Sequence, residues 1–486
     1  MKKDVLYGQL NKKEGKIMDL LGSIVGSINN IIWSYVLIGM LVCIGVYFTV
    51  ATKFVQIRLF GEMMRLMTQN AGSKDSKHRV SSFQAFCIST ASRVGVGNIA
   101  GVAIAVVSGG PGAIFWMWVI AIIGSATGFI ESTLAQVYKV EDGRGGFRGG
   151  PAYYLKNALG QKGVAVFFAI LISITFGLVF NSVQANTIAL AMQTAFSIDC
   201  TTMGLILAAM TAITIFGGVK RIAKVSSVLV PIMAGIYILV AIYITLVNIS
   251  LLPTVLSTII TNAFSADAVF GGGLGAAMLA GFKRGLFSNE AGMGSVPNAA
   301  AAADVSHPAQ QGLIQALGVF FDTLVVCSCS AFIVLMTADY HTLGLTGIEL
   351  VQRALELQLG SFAPSLLAIF VFLFAFTSIV GNYYYGESNI EFLHSSKVWL
   401  TGFRLCVVGM VMFGSVAKIA LVWDMADLFM GLMAITNLIA IVFLSKHALI
   451  VLKDYCAQKK QGIVDPIFRA SIMPDQKGIV LWKDKK

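Results

Sequence analysis

Two short runs place polar residues and glycines where their surroundings are otherwise apolar. The first is Ser92-Arg93-Val94-Gly95-Val96-Gly97-Asn98-Ile99-Ala100-Gly101, and the second is Gly285-Leu286-Phe287-Ser288-Asn289-Glu290-Ala291-Gly292-Met293-Gly294-Ser295-Val296-Pro297-Asn298. Clustered glycines and a proline interrupt a helix, and an interrupted helix in hydrocarbon leaves amides and carbonyls without partners. Such groups must line a polar cavity or bind something. The amino ends of half-helices attract an anion such as a carboxylate, whereas freed carbonyls coordinate a cation. Gly95, Gly97 and Asn98 in the first run, and Asn289, Glu290 and Gly292 in the second, are therefore the first candidates for a site. Close helix packing through small residues would explain the glycines, but neither the asparagines nor Glu290.

Charge at membrane depth is the second signal, because it costs at least about 2.5–3.5 kcal/mol on insertion scales. Arg93, Glu131, Lys283, Arg284, Glu290, Asp322 and Arg404 all fall in apolar windows and so require partners or water. For Arg93, Glu131 and Arg404 the plainer reading is a static ion pair that fastens parts of the bundle. Asp424 and Asp427 fit either a gate contact or a solvated helix start favoured by the helix dipole.

The elements that position these residues follow from composition. The 486 residues are 57% apolar and only 12% charged, far from the soluble globular range, and the apolar residues come in windows of about 20, the length that crosses a bilayer. Spans are expected near 31–52, 84–108, 112–137, 163–196, 201–217, 225–247, 272–303, 310–337, 362–384, 398–415 and 419–445, about eleven in all. The chain reads as an all-α polytopic membrane protein with one transmembrane domain over 31–445. An amphipathic lead-in within 1–30 precedes it and a basic tail over 446–486 follows; no cleavable signal is evident.

Lysine and arginine crowd the connections 53–83 and 138–162, the turn near 220 and the tail, and are absent from 109–111, 197–200 and 248–271. The positive-inside rule then places the basic connections and the carboxyl terminus in the cytoplasm, and the amino terminus outside the inner (plasma) membrane. Lys2, Lys3, Lys12, Lys13 and Lys16 conflict with that orientation unless the later loops dominate or the 17–30 stretch returns through the membrane as one more span.

The formal charge of +11 is spread over connections, so nucleic acid is not indicated. Seven cysteines and five histidines show no metal-ligand spacing, and no nucleophile–base set points to an enzyme. No repeated filter segment points to a channel. If 31–52 is accessory, about ten spans divide into repeats at 84–247 and 272–445, each opening with its interrupted segment. Matching discontinuous helices in two halves are the sequence pointer to a transporter site.

The stretches SRVGVGNIAGVA (92–103), GGPGAIFWMW (109–118), GGFRGGPAYYL (145–155), NSVQANTIA (181–189), KRGLFSNEAGMGSVPNAAAAA (283–303) and FAFTSIVGNYYYGE (374–387) resemble the alanine/glycine:cation symporter family. The resemblance runs from about 30 to 450. It implies a leucine-transporter-type fold, a 5+5 inverted repeat with one extra amino-terminal helix. It also implies uptake of a small neutral amino acid, alanine or glycine, coupled to Na+ or H+, with no other cofactor and no obligate protein partner.

Carried over by position, the resemblance puts Asn98 beside a cation and the substrate. Backbone of Ala91 and Val94, with the hydroxyls of Thr377 and Ser378, would form a second cation site, oxygens without fixed charge suiting a hard cation that must leave again. Thr377 and Ser378 could equally be bonding back to their own helix. Gln184 resembles the family's substrate-contacting glutamine, and Gly95, Gly97, Asn289, Gly292 and Asn382 complete the expected substrate contacts, with Glu290, Asp424 and Asp427 as gate or coupling groups. Asn382 stands where members vary between tryptophan and asparagine, which leaves room for a longer side chain such as glutamine. A glutamine-type substrate, or a transporter-like amino-acid sensor, is the alternative.

Overall fold

The computed structural model describes residues 23–68, 80–143, 145–216, 219–264, 273–338 and 340–482. The amino-terminal lysines, the lead-in before Ser23, and Lys74 and Lys77 lie outside the described residues. In chain order the chain forms α1 (Ser23–Ala51), α2 (Phe60–Thr68), α3 (Ser82–Arg93), α4 (Gly97–Gly109) and α5 (Gly112–Val137). A small hairpin, β1 (Val140–Glu141) and β2 (Phe147–Arg148), pairs antiparallel with Val140 opposite Arg148. Then come α6 (Pro151–Asn157), α7 (Lys162–Phe196), α8 (Cys200–Ile215), α9 (Val219–Val247), α10 (Leu252–Ala263) and α11 (Gly273–Asn289). The rest are α12 (Val296–Ala302), α13 (Pro308–Leu335), α14 (Gly347–Leu359), α15 (Ala363–Leu393), α16 (Lys397–Val416) and α17 (Ile419–Lys460).

This is an all-α polytopic membrane protein. Among the described residues seven helices are long and apolar enough to cross a bilayer, or nine if each bent pair is one span. One bent pair is α3 and α4, at 51°, and the other joins 231–247 to 249–263 at 78°. Helices occupy every expected window, but α8 is short and α11 with α12 is interrupted.

Local chemistry sets the boundaries. Ser81 and Gln84 form a reciprocal capping box at the start of α3, satisfying two amides that a helix start leaves open. Asp199 caps α8 through the amides of Thr201 and Thr202. Prolines occupy the first turns of α6, α12, α13 and α15, where the missing N–H costs nothing. Among the described residues four wide π-helical segments interrupt regular geometry: Ile32–Leu37, Gly97–Gly101, Thr175–Phe180 and Phe321–Cys327. The last three sit in helices that meet at the centre, as such turns tend to at functional sites.

Four differences from the sequence reading have physical causes. The first helix is already formed at Ser23, before the expected 31, because Asn29 donates to Asp424 O (2.8 Å) and so anchors the polar lead-in to α17. Helix α17 continues past 445 to Lys460, since Ala448, Val451, Leu452 and Tyr455 are buried at helical spacing while Lys446 and Lys453 face out. Helices α10 and α14 stand in segments read as connections; they are too short to register as spans.

Fourth, the segment after Lys460 is not a loose end. Phe468, Ala470, Met473 and Ile479 are buried, Phe468 N donates to Ser306 O (3.0 Å), and Trp482 Nε1 donates to Gln136 O (2.9 Å). This strap lies across the end of the bundle where α3 begins and α5 ends. Basic connections share that end: Arg65 bonds Val464 O (3.0 Å), and Lys459 pairs with Glu62 (3.3 Å).

Candidate functional site

The first break begins where Val94 turns extended after α3. The amides released there are taken up by side chains: Gly95 N donates to Asn98 Oδ1 (3.0 Å) and Val96 N to Gln184 Oε1 of α7 (3.2 Å). A Cβ at Gly95 would collide with Ser378 Oγ of α15, and one at Gly97 would lie 2.8 Å from the Phe287 ring.

At the second break Glu290 adopts φ 57°, with Gly292 at 88° and Gly294 at 80°. A left-handed glutamate costs about 1–3 kcal/mol and persists only where neighbours hold it. Here Ser92 Oγ donates to Glu290 Oε1 (2.7 Å) and Ser295 Oγ to Oε2 (2.6 Å). Glu131 of α5 collects the amides that follow, Gly292 N on Oε1 and Gly294 N on Oε2 (both 3.1 Å), with Asn437 Nδ2 of α17 at 2.8 Å. Asn289 Oδ1 accepts from Ala291 N (3.0 Å), and its amide reaches Thr323 Oγ1 (3.2 Å).

The two breaks meet at Asn98. Its Nδ2 lies 2.8 Å from Ser288 Oγ, 2.7 Å from Asp322 Oδ1 and 3.3 Å from Cys327 Sγ, and Ser288 Oγ donates to Asp322 Oδ2 (2.5 Å). Ser330 Oγ donates to Asn98 O (2.5 Å). Asp322 and Cys327 both belong to the π-helical segment of α13, whose wide turn brings these side chains to one face. All of these groups are buried.

Around Ala91 the expected residues divide. Ser378 Oγ lies 2.8 Å from Ala91 O and 3.1 Å from Phe374 O, so α15 is brought against the end of α3. Thr377 Oγ1 bonds back to Phe374 O (2.8 Å), and Val94 adjoins through the chain alone. Asn382 Oδ1 lies 2.7 Å from Ser92 Oγ, while its buried Nδ2 has no partner among the described residues.

An aromatic cover lies over Gly97 and Gly101. Phe287 packs between Phe180 (4.5 Å) and Trp423 (4.8 Å), and the Arg284 guanidinium sits 4.5 Å above Trp423. Arg284 pairs with Asp427 at 2.8 Å, with Lys283 at 3.5 Å from the same oxygen. Asp424 takes no part in this pair; its carbonyl instead anchors Asn29.

Of the charges read as static pairs, Arg404 does pair with Glu387 (3.2 Å). Glu131 binds amides instead, and Arg93 donates to Gln315 O (3.3 Å) while its charge acts on Glu131, Glu290 and Asp322. Sequence reasoning missed Ser92, Ser288, Asn437, the aromatic cover and the place of Cys327 in the polar network. The two runs containing Ser92 and Ser288 were in view, but nothing local marks Asn437 or Phe180 as partners.

A polar centre built from two interrupted helices inside an apolar bundle defines a membrane transporter rather than an enzyme, and the comparisons agree. Residues 18–470 match the sodium:alanine symporter family, and the chain belongs to that family. It is 54% identical over 466 residues to the probable sodium/glutamine symporter GlnT of Bacillus subtilis (strain 168), covering 96% of this chain and 97% of that one. It is 52% identical to the amino-acid carrier protein AlsT of the same organism, covering 96% and 98%. To the sodium/alanine symporter AgcS of Methanococcus maripaludis it is 37% identical, covering 87% and 94%.

Proposed function

We propose that this protein takes up a small neutral amino acid, alanine or glycine, together with Na+, by alternating access in the cell membrane. In this reading the core is a leucine-transporter-type 5+5 inverted repeat of about ten spans after the accessory α1, with the strap-covered end of the bundle cytoplasmic. The observation that carries it is Asn98, which closes its own break through Gly95 N and touches the second break through Ser288. A ligand replacing these bonds would act on both broken helices at once.

The substrate carboxylate would compete with Asn98 and Gln184 for the amides of Gly95 and Val96. Released from Gly95 N, the Asn98 amide would turn so that Oδ1 replaces Nδ2 beside Asp322 with Na+ between them, and a second cation would sit between Ala91 O, Val94 O and the hydroxyls of Thr377 and Ser378. Outward closure would then be made by Phe287, Trp423 and the Arg284–Asp427 pair. A potential of 100 mV supplies about 2.3 kcal/mol per cation and a tenfold gradient about 1.4, enough for accumulation of several hundredfold by one coupled ion. Coupling requires both ligands to favour the same state.

A second reading of the substrate rests on Asn382. The end of its amide that faces away from Ser92 has no partner among the described residues and could pair with the side-chain amide of glutamine, and one relative is named a probable sodium/glutamine symporter. Uptake of labelled alanine and of glutamine into proteoliposomes, with an inward Na+ gradient and a matched K+ control, tests both. Sodium-dependent accumulation that is lost in Asn98→Ala supports symport and selects the substrate; no accumulation under Na+, K+ or a proton gradient overturns it.

A further inference from the structure

Where α1 ends, the chain turns through Lys53 and Phe54, both left-handed at φ 55° and 56°, into the short helix Val55–Arg58. The elbow is fixed on the body. Val55 and Gln56 are buried, and Gln56 Nε2 donates to Thr49 Oγ1 (3.1 Å) and to Ile122 O of α5 (3.2 Å). Arg58 Nη2 donates to Thr52 O at 3.2 Å, which aims its guanidinium back along the turn.

Between this elbow and α17 lies a cavity of about 470 Å3. Lys53 and Arg58 line it from the elbow, Lys453 and Lys460 from α17, and Leu449 and Leu452 give it an apolar wall. Among the described residues none of these four cations forms an ion pair. The neighbouring cations differ, since Arg65 and Lys459 are both neutralised by Glu62, at 2.6 and 3.3 Å.

The depth of the cavity is set by its neighbours. The apolar run of α1 ends at Ala51, and just beyond it Phe54 and Ile57 remain 52% and 64% exposed. Large apolar side chains left uncovered beside long basic ones mark the boundary between hydrocarbon and headgroups, where the stems lie in lipid and the charges reach outward. Basic pockets between helices at that level hold acidic headgroups.

We propose that this cavity is a binding site for an anionic glycerophospholipid, its phosphodiester among Lys53, Arg58, Lys453 and Lys460 and an acyl chain along Leu449 and Leu452. The bound lipid bridges the accessory helix to α17. A zwitterionic headgroup fits less well, because its own cation meets four others. The inference rests on membrane placement, not on the transport reading, and a binding readout keeps the two apart.

The test uses the purified full chain in nanodiscs of phosphatidylcholine with and without phosphatidylglycerol, read by native mass spectrometry of retained lipid and by thermal unfolding. Inorganic phosphate is added in a separate arm. Wild type retains phosphatidylglycerol selectively and unfolds at higher temperature with it. Lys53→Gln/Arg58→Gln and Lys453→Gln/Lys460→Gln each weaken retention about tenfold or more, whereas the control Lys162→Gln/Lys397→Gln, which removes the same charge elsewhere, does not. Equal retention in the pocket and control variants overturns the site. Full displacement of the lipid by phosphate overturns its assignment to a lipid. Should the double variants not fold, Lys460→Gln at an exposed helix end carries the same prediction with a smaller loss.

Discussion

The two helix breaks solve one problem in different ways. At Val94–Gly97 the freed amides rest on neutral side-chain carbonyls, those of Asn98 and Gln184. At Glu290–Ser295 Ala291 N rests on Asn289, but Gly292 N and Gly294 N rest on a carboxylate, Glu131, which Asn437 of α17 also grips. A neutral acceptor gives way to an incoming carboxylate more readily than a charged one does, because charge-assisted bonds are roughly twice as strong. The first break therefore suits ligand exchange, and the second suits a frame that keeps its shape.

The strongest challenge to this contrast is Glu131→Ala. It strands the amides of Gly292 and Gly294 at about 1–3 kcal/mol each and leaves Asn437 Nδ2 only its bond to Gly292 O, so the purified variant should unfold at much lower temperature and show no uptake. A variant with wild-type stability would dissolve the distinction. Asn98→Ala should lower uptake about a hundredfold, or about 2.7 kcal/mol, with a smaller change in unfolding temperature than Glu131→Ala.

Next in size are Arg284→Gln and Asp427→Asn. Asp427→Asn leaves the buried Arg284 without a carboxylate, and Arg284→Gln leaves Asp427 only the longer contact with Lys283. Each should reduce uptake about tenfold, while the double variant regains part of that loss because the poorly paired charge is the cost. A double variant worse than both singles would remove the pair from the gate. The smallest effect is expected at Asn382→Ala, a few-fold change in the ratio of glutamine to alanine uptake, or about 1 kcal/mol. An unchanged ratio would exclude Asn382 as a specificity residue.

How much of this was legible in the sequence depended on range. The apolar windows announced the helices because twenty-odd apolar residues in a row have few alternatives. Gly95, Gly97, Gly292 and Asn98 announced the breaks because glycine and asparagine at membrane depth are poor helix formers. Ser378 could be matched to Ala91 only through the family resemblance. The bonds from Glu131 to Gly292 and from Asn437 to Glu131 cross wide stretches of chain, and no local pattern encodes them. Phe180, Phe287 and Trp423 were invisible for another reason: in an apolar window an aromatic facing lipid reads the same as one covering a site. Helix α14 and the strap after Lys460 carry too little hydrophobicity to stand out, yet both are held by specific bonds, Gln352 Nε2 to Ala191 O (3.1 Å) and Trp482 Nε1 to Gln136 O (2.9 Å).

The π-helical segments Gly97–Gly101, Thr175–Phe180 and Phe321–Cys327 bear on how such a chain can drift. Each wide turn holds about one residue more than an α-turn, so it absorbs that residue without disturbing the helix on either side. Deleting that residue would restore a regular helix and leave the phase beyond it nearly unchanged. In α13 the cost is local, because Asp322 and Cys327 lose the wide turn that sets both beside Ser288. Point substitutions can accumulate along these helices, but their length in residues is not free to change.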